Sequence, residues 1–148
     1  MNRSRISILV IDRQTYWREY AGEALQDAGY QIATLGTYGE VLDRIKDGAS
    51  WNIILLGCAS VEYQERMLIT YLIAKSQPVI ILSTALTVQG MRDLFLQGVE
   101  DVTDKTYHSA EIIAIIEQAQ EQIIKRDRPW KLAEKGAFYE KTRTHPGR

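Results

Sequence analysis

The stretch Trp51-Asn52-Ile53-Ile54-Leu55-Leu56-Gly57-Cys58 places four large aliphatic residues in a row and ends them with glycine and cysteine. A half-exposed strand would alternate apolar with polar residues, and a surface helix would space its apolar residues by three and four. This run does neither, and its length suits a strand buried on both faces. Two further runs have the same character, Ile6-Ser7-Ile8-Leu9-Val10-Ile11 and, after Pro78, Val79-Ile80-Ile81-Leu82. Strands buried on both faces belong to parallel sheets covered by helices on each side.

The segments between the strands supply those helices. Over residues 14–28, Tyr16, Trp17, Tyr20, Ala21, Ala24, Leu25 and Ala28 recur at helical steps, and Gly29 follows as a stop. A short strand is expected over residues 31–35, and a helix over 38–46 that ends near Gly48. The next helix spans 62–75, with Met67, Tyr71 and Ala74 on one face, and another spans 88–97 before Gly98. A brief strand at Val102-Thr103 precedes a last helix capped by Ser109, with Ile112, Ile116, Ala119 and Ile123 on its inner side. Alternation of this kind implies right-handed crossovers. It predicts an α/β flavodoxin-like doubly wound fold, (βα)5, whose five parallel strands run in the order 2-1-3-4-5 with a crevice at their carboxyl ends.

At 148 residues the chain has the size of one domain. Its 45% hydrophobic and 25% charged residues are ordinary for a soluble protein. No apolar run approaches the roughly 20 residues of a membrane span, and the N-terminus has no secretory core. The single cysteine, Cys58, excludes an internal disulfide framework and points to a reducing cytoplasm. Residues 1–124 hold 10 Lys/Arg against 16 Asp/Glu, and residues 125–148 hold 8 against 3. Two regions follow: a body over 1–125 and a basic, aromatic-containing C-terminal tail over 126–148.

Four landmarks in the body resemble the receiver domain of two-component response regulators. They are Ile11-Asp12-Arg13 after the first strand, Gly29-Tyr30 with Gly39-Glu40-Val41-Leu42, Pro78 through Ser83, and Gly98-Val99-Glu100-Asp101-Val102 leading to Lys105. The step of 22 residues from Ser83 to Lys105 is similar to the family's interval. The resemblance implies a crevice in which a third-strand aspartate accepts a phosphoryl group and acidic residues after the first strand hold Mg²⁺. It also implies a lysine and a Ser/Thr hydroxyl that bind the phosphate.

Matched by position, the chain keeps Asp12, Ser83 and Lys105 but has Gly57 at the acceptor position and Arg13 at the second acidic one. Glycine has no nucleophile, and arginine is permanently charged. Asp12 against Arg13 and Lys105 makes a local balance of +1, which should repel a dication. Val102 replaces an aromatic residue of the family, and Thr106 replaces a proline. The expectation is a degenerate pseudo-receiver in which Arg13 and Lys105 neutralise Asp12, with no metal and no cofactor.

No other chemistry is well supported. A Gly-rich phosphate loop after the first strand is missing, a flavin would need a Ser/Thr-rich first loop, and His108 and His145 lack metal-ligand spacing. No hydrolase triad is recognisable, so the expected role is binding and not catalysis. The partner is expected to be a protein of a signalling pathway. Leu96, Val102, Ile113, Ile115, Ile124 and Trp130 are the candidate interaction surface, and the fourth helix, fifth strand and fifth helix the candidate homodimer face. Alternatives are a transcription regulator whose basic tail contacts DNA, or a small-ligand or anion sensor in the crevice.

Overall fold

The computed structural model describes residues 2–127. After a 3-10 turn at Arg3–Arg5, five strands alternate with five helices. The strands are β1 (Ser7–Ile11), β2 (Gln31–Leu35), β3 (Ile53–Cys58), β4 (Val79–Ser83) and β5 (Asp101–Asp104). The helices are α1 (Thr15–Asp27), α2 (Tyr38–Lys46), α3 (Tyr63–Ala74), α4 (Val88–Gln97) and α5 (Ser109–Asp127). The strands form one parallel sheet in the order β2-β1-β3-β4-β5, as the alternation predicts.

Every residue of β3 is buried, and alternation sends its side chains to two separate cores. Ile54, Leu56 and Cys58 pack with Leu68, Ile69, Leu72 and Leu94 beneath α2, α3 and α4. Ile53 and Leu55 pack with Trp17, Leu25, Ile112 and Ile116 beneath α1 and α5. By the same alternation position 57 faces α1. Each fully buried Ile or Leu contributes roughly 1.5–3 kcal/mol, and β3, like β1 and β4, feeds both cores.

Local chemistry closes the helices. Thr37 and Thr87 cap α2 and α4 through the amides of Glu40 and Gly90. Gly98 ends α4 with φ 113°, a conformation that favours glycine.

Three sequence expectations change here. The buried face of α3 is Leu68, Ile69 and Leu72, while Met67 is 55% exposed. The cap of α5 falls on His108, whose carbonyl accepts from the Ile112 amide, and Ser109 opens the helix. Val102 is buried at 3% within the core under α4, which removes it from the surface expected of it. Among the other surface candidates Leu96 is 80% exposed, Ile113 and Ile115 half-pack against the α1/α5 core, Ile124 is half-buried, and Trp130 lies outside the described residues. No described helix is long and apolar enough to cross a membrane.

Candidate functional site

Parallel pairing brings the strand ends to one edge, where Ile11 stands beside Leu56, Cys58 beside Ser83, and Ser83 beside Asp104. Asp12 and Lys105, one residue beyond β1 and β5, therefore meet above β3. Asp12 turns the chain into α1: its Oδ1 accepts from the Gln14 amide at 2.8 Å, an Asx-type turn. Its own carbonyl accepts from Arg18 at 2.7 Å. Lys105 Nζ lies 2.7 Å from Asp12 Oδ2, and both side chains are only 4% exposed. Oδ2 accepts no hydrogen bond of good geometry, and the contact that holds it is the ion pair with Lys105. The ammonium also donates to Gln14 Oε1 at 3.1 Å and stands 5.0 Å over the Trp17 ring.

Trp17 is the residue that sequence reasoning missed as part of the site. It is fully buried, and its Nε1–H donates to the Thr106 carbonyl at 2.9 Å. A Cβ at Gly57 would lie 2.5 Å from Asp12 Oδ2 and 2.7 Å and 2.9 Å from Trp17 Cζ3 and Cε3. Carbon contacts are optimal near 3.5–4.0 Å, and neither neighbour is free to move. The indole is wedged and hydrogen-bonded, and the carboxylate is paired. The space that a side chain on β3 would enter is therefore filled by α1. Glycine at 57 is what that packing requires. In sequence Trp17 looks like one more core-facing helix residue; the only hint was a glycine closing an otherwise bulky strand.

Arg13 does not join the Asp12–Lys105 pair, contrary to the sequence expectation. It is exposed, with its guanidinium 4.2 Å over the Tyr38 ring and hydrogen-bonded to Gln64. Ser83 is completely buried and donates to the Ala59 carbonyl at 3.0 Å. Of the two hydroxyls at the end of β4, the one that lines the crevice is that of Thr84, which donates to the same carbonyl at 2.9 Å. Thus Asp12, Gly57 and Lys105 converge as expected, Ser83 lies behind them, and Arg13 turns to the opposite wall.

That wall is built on α3. Glu65 is 5% exposed, accepts from the Glu62 amide at 2.9 Å and accepts the Tyr38 hydroxyl proton at 2.7 Å. Burial first, and the Glu65 carboxylate second, push the Tyr38 phenol above its ordinary range. Cys58, also on the rim, is pushed up to about 11 by burial, so at neutral pH it is a thiol and not a nucleophile. The cleft encloses 590 Å³ and is lined by the carboxylates of Asp12, Glu62 and Glu65 and the cations of Arg13 and Lys105. Its balance is −1, not the +1 counted from the strand-end residues alone, because Glu65 of α3 and the helix's N-cap Glu62 add two acids. This lining does not favour an anion.

Nor does the donor set fit Mg²⁺, a hard cation that binds through carboxylates and its own waters. One Asp12 oxygen is held by an ammonium, the indole closes the side facing β3, and each Glu65 oxygen already accepts a hydrogen bond, from Tyr38 and from the Glu62 amide. Among the described residues no group of three His, Cys, Asp or Glu could hold a metal.

Solved structures share this architecture. A pilus assembly-related protein from Burkholderia pseudomallei superposes with a TM-score of 0.70 at 19% identity, over 81% of this chain and 92% of that one. Chemotaxis response regulator CheY4 of Vibrio cholerae gives 0.68 at 17% identity, over 77% and 98%. NtrX from Brucella abortus, solved in complex with ADP, gives 0.71 at 21% identity, over 91% of this chain but 31% of that longer one. No family model and no curated protein matches the sequence. At these identities what is shared is the fold, that of CheY-like receiver domains.

Proposed function

We propose that the chain is a response-regulator-like signalling protein that works without aspartyl phosphorylation, as a cytoplasmic module that binds other proteins and catalyses no reaction. The observation that carries this reading is the sealed strand-end cluster. The position from which a receiver's nucleophile would project carries no side chain, and Trp17 and the Asp12–Lys105 pair fill the space in front of it. The cleft then has neither an acceptor nor a cation site, and the lysine that would meet a phosphoryl group is already spent on Asp12.

Signal output is assigned to the surface of α4, β5 and α5, as a homodimer face or a docking face. In support, Val88 and Leu96 are each 80% exposed and Phe95 is 46% exposed, an unusual concentration of large apolar side chains on one short helix. The test is intact mass after incubation of the full chain with Mg²⁺ and acetyl phosphate, and sedimentation of the wild type beside Leu96→Glu. The expected results are no phosphoryl adduct and a drop in self-association or partner capture for the variant. A stoichiometric phosphoryl adduct would overturn the reading.

A further inference from the structure

The charge of the body is unevenly divided. Helices α2, α3 and α4 each balance to zero, whereas α1 and α5 each carry −2. These two acidic helices pack side by side on one face of the sheet. Along α1, Tyr16, Tyr20, Glu23 and Asp27 follow steps of four, three and four, which places them on one stripe. The Tyr107 ring stacks on Tyr16 at 6.1 Å and stands 6.2 Å from Tyr20, leaving Tyr16 68% and Tyr107 42% exposed. Glu117 on α5 is matched by Arg3, but among the described residues Glu23, Asp27 and Glu121 have no ion-pair partner. The face is thus an acidic strip with open aromatic rings at the end where α5 begins.

The sequence after α5 has the complementary chemistry. Residues 128–148 hold six Lys/Arg against two Glu, a balance of +4, with Trp130, Phe138 and Tyr139 interspersed. Their point of departure suits the same face. The segment leaves from Asp127, at the far end of α5 from Tyr107, and 18 helical steps from Ser109 span about 27 Å. The 11 residues from Asp127 to Phe138 reach about 36 Å when extended. Phe138 and Tyr139 can therefore arrive at the tyrosines while the lysines run beside the acids.

We propose that residues 128–148 dock on the α1/α5 face of their own chain, cations against Glu23, Asp27 and Glu121, and aromatic rings against Tyr16 and Tyr107. Exposed tyrosine faces accept both ring stacking and cations. The docking face reaches the crevice only at Tyr107 and leaves the α4 surface open.

Zero-length carbodiimide crosslinking of the full chain, run on an equal mixture of isotopically light and heavy protein, tests it. The expected products are amide links from Lys131, Lys135 or Lys141 to Glu23, Asp27 or Glu121 within a single isotopic chain. Their yield should fall at least fivefold near 1 M salt, where screening acts over about 3 Å. A similar fall is expected in the variant Tyr16→Ser with Tyr107→Ser, which removes no crosslinkable group. Absence of these links, equal linkage to acids of α2 through α4, or light–heavy products approaching half of the links, the share that random pairing between chains gives, would overturn the proposal. The last result would assign the segment to a second copy.

Discussion

Two cations at the mouth of the same crevice have opposite surroundings. The Lys105 side chain is 4% exposed and enclosed by a carboxylate, an amide oxygen and an indole face, whereas Arg13 lies in solvent across Tyr38 and beside Gln64. In the sequence both are simply basic residues near one aspartate. Burial separates them. Removing one partner of a sealed ion pair strands the other charge in low dielectric, at a cost of roughly 3–5 kcal/mol, while an exposed contact is worth about 1 kcal/mol or less. The crevice therefore has a structural wall on the side of α1 and an adjustable wall on the side of α3.

The strongest attack on the structural wall is Gly57→Asp, which would put a carboxylate at the end of β3. The new Cβ meets Asp12 and the Trp17 ring at under 3 Å, and the new charge stands beside an existing one. Overpacking and like-charge burial together predict a loss of about 5 kcal/mol in urea unfolding. Trp17→Ala alone should cost about 3–5 kcal/mol for a large buried aromatic. Combined with Gly57→Asp it should cost clearly less than the sum, because the cavity left by one residue accepts the other. Additive losses would mean that the indole does not fill the space of a side chain at 57. Next in size is Lys105→Ala, expected to lose about 4 kcal/mol, with much of that recovered when Asp12→Asn is added. A double variant no more stable than Lys105→Ala would show that the ion pair is not what the lysine supplies.

The fold was legible in the sequence because it rests on redundant signals. Three doubly buried strands, glycine stops at Gly29 and Gly98, and helical spacing in between all point to one topology. The site was legible only as far as backbone position determines it. Asp12, Gly57 and Lys105 are brought together by strand ends, so their meeting follows from topology. Arg13 turning to Tyr38, Ser83 withdrawing behind Ala59, and Glu65 entering from α3 depend on side-chain packing between elements distant in sequence. Trp17 shows the limit best: its helical spacing explains its burial, but nothing in the sequence says that its ring lies against Gly57. Val102 failed for a related reason, since a four-residue strand carries too little pattern to tell its two faces apart.

Cys58 sits between the two walls, on the cleft rim yet buried, and sharpens the comparison through pH. Its thiol is raised from 9.0 to about 11 in the fold, so the unfolded chain ionises first. The stability from the buried neutral thiol is complete below pH 9 and is lost as pH rises through 11. Tyr38, raised by burial and Glu65, acts in the same direction. Cys58→Ala should therefore lessen the alkaline decline by up to about 2 kcal/mol at pH 11, and leave the shape of the profile below pH 8 unchanged. An unchanged alkaline limb in urea titrations would exclude the thiol as a contributor.

The smallest effect belongs to the adjustable wall. Arg13→Ala forfeits one exposed cation–π contact and one hydrogen bond to Gln64, together about 1 kcal/mol or less, a change in Tm of a few degrees. Arg13→Asp is the more instructive replacement, because it sets a second acid beside Asp12, as a divalent cation would require. If the positive charge at 13 were the obstacle, this variant would gain thermal stability with added Mg²⁺. The geometry places the obstacle elsewhere: Asp12 Oδ2 is already held by Lys105, and the indole occupies the adjoining space. Mg²⁺ should leave its Tm unchanged. A rise that saturates with Mg²⁺ would show that the sealed wall opens for a metal, and that the division between a structural and an adjustable side is drawn in the wrong place.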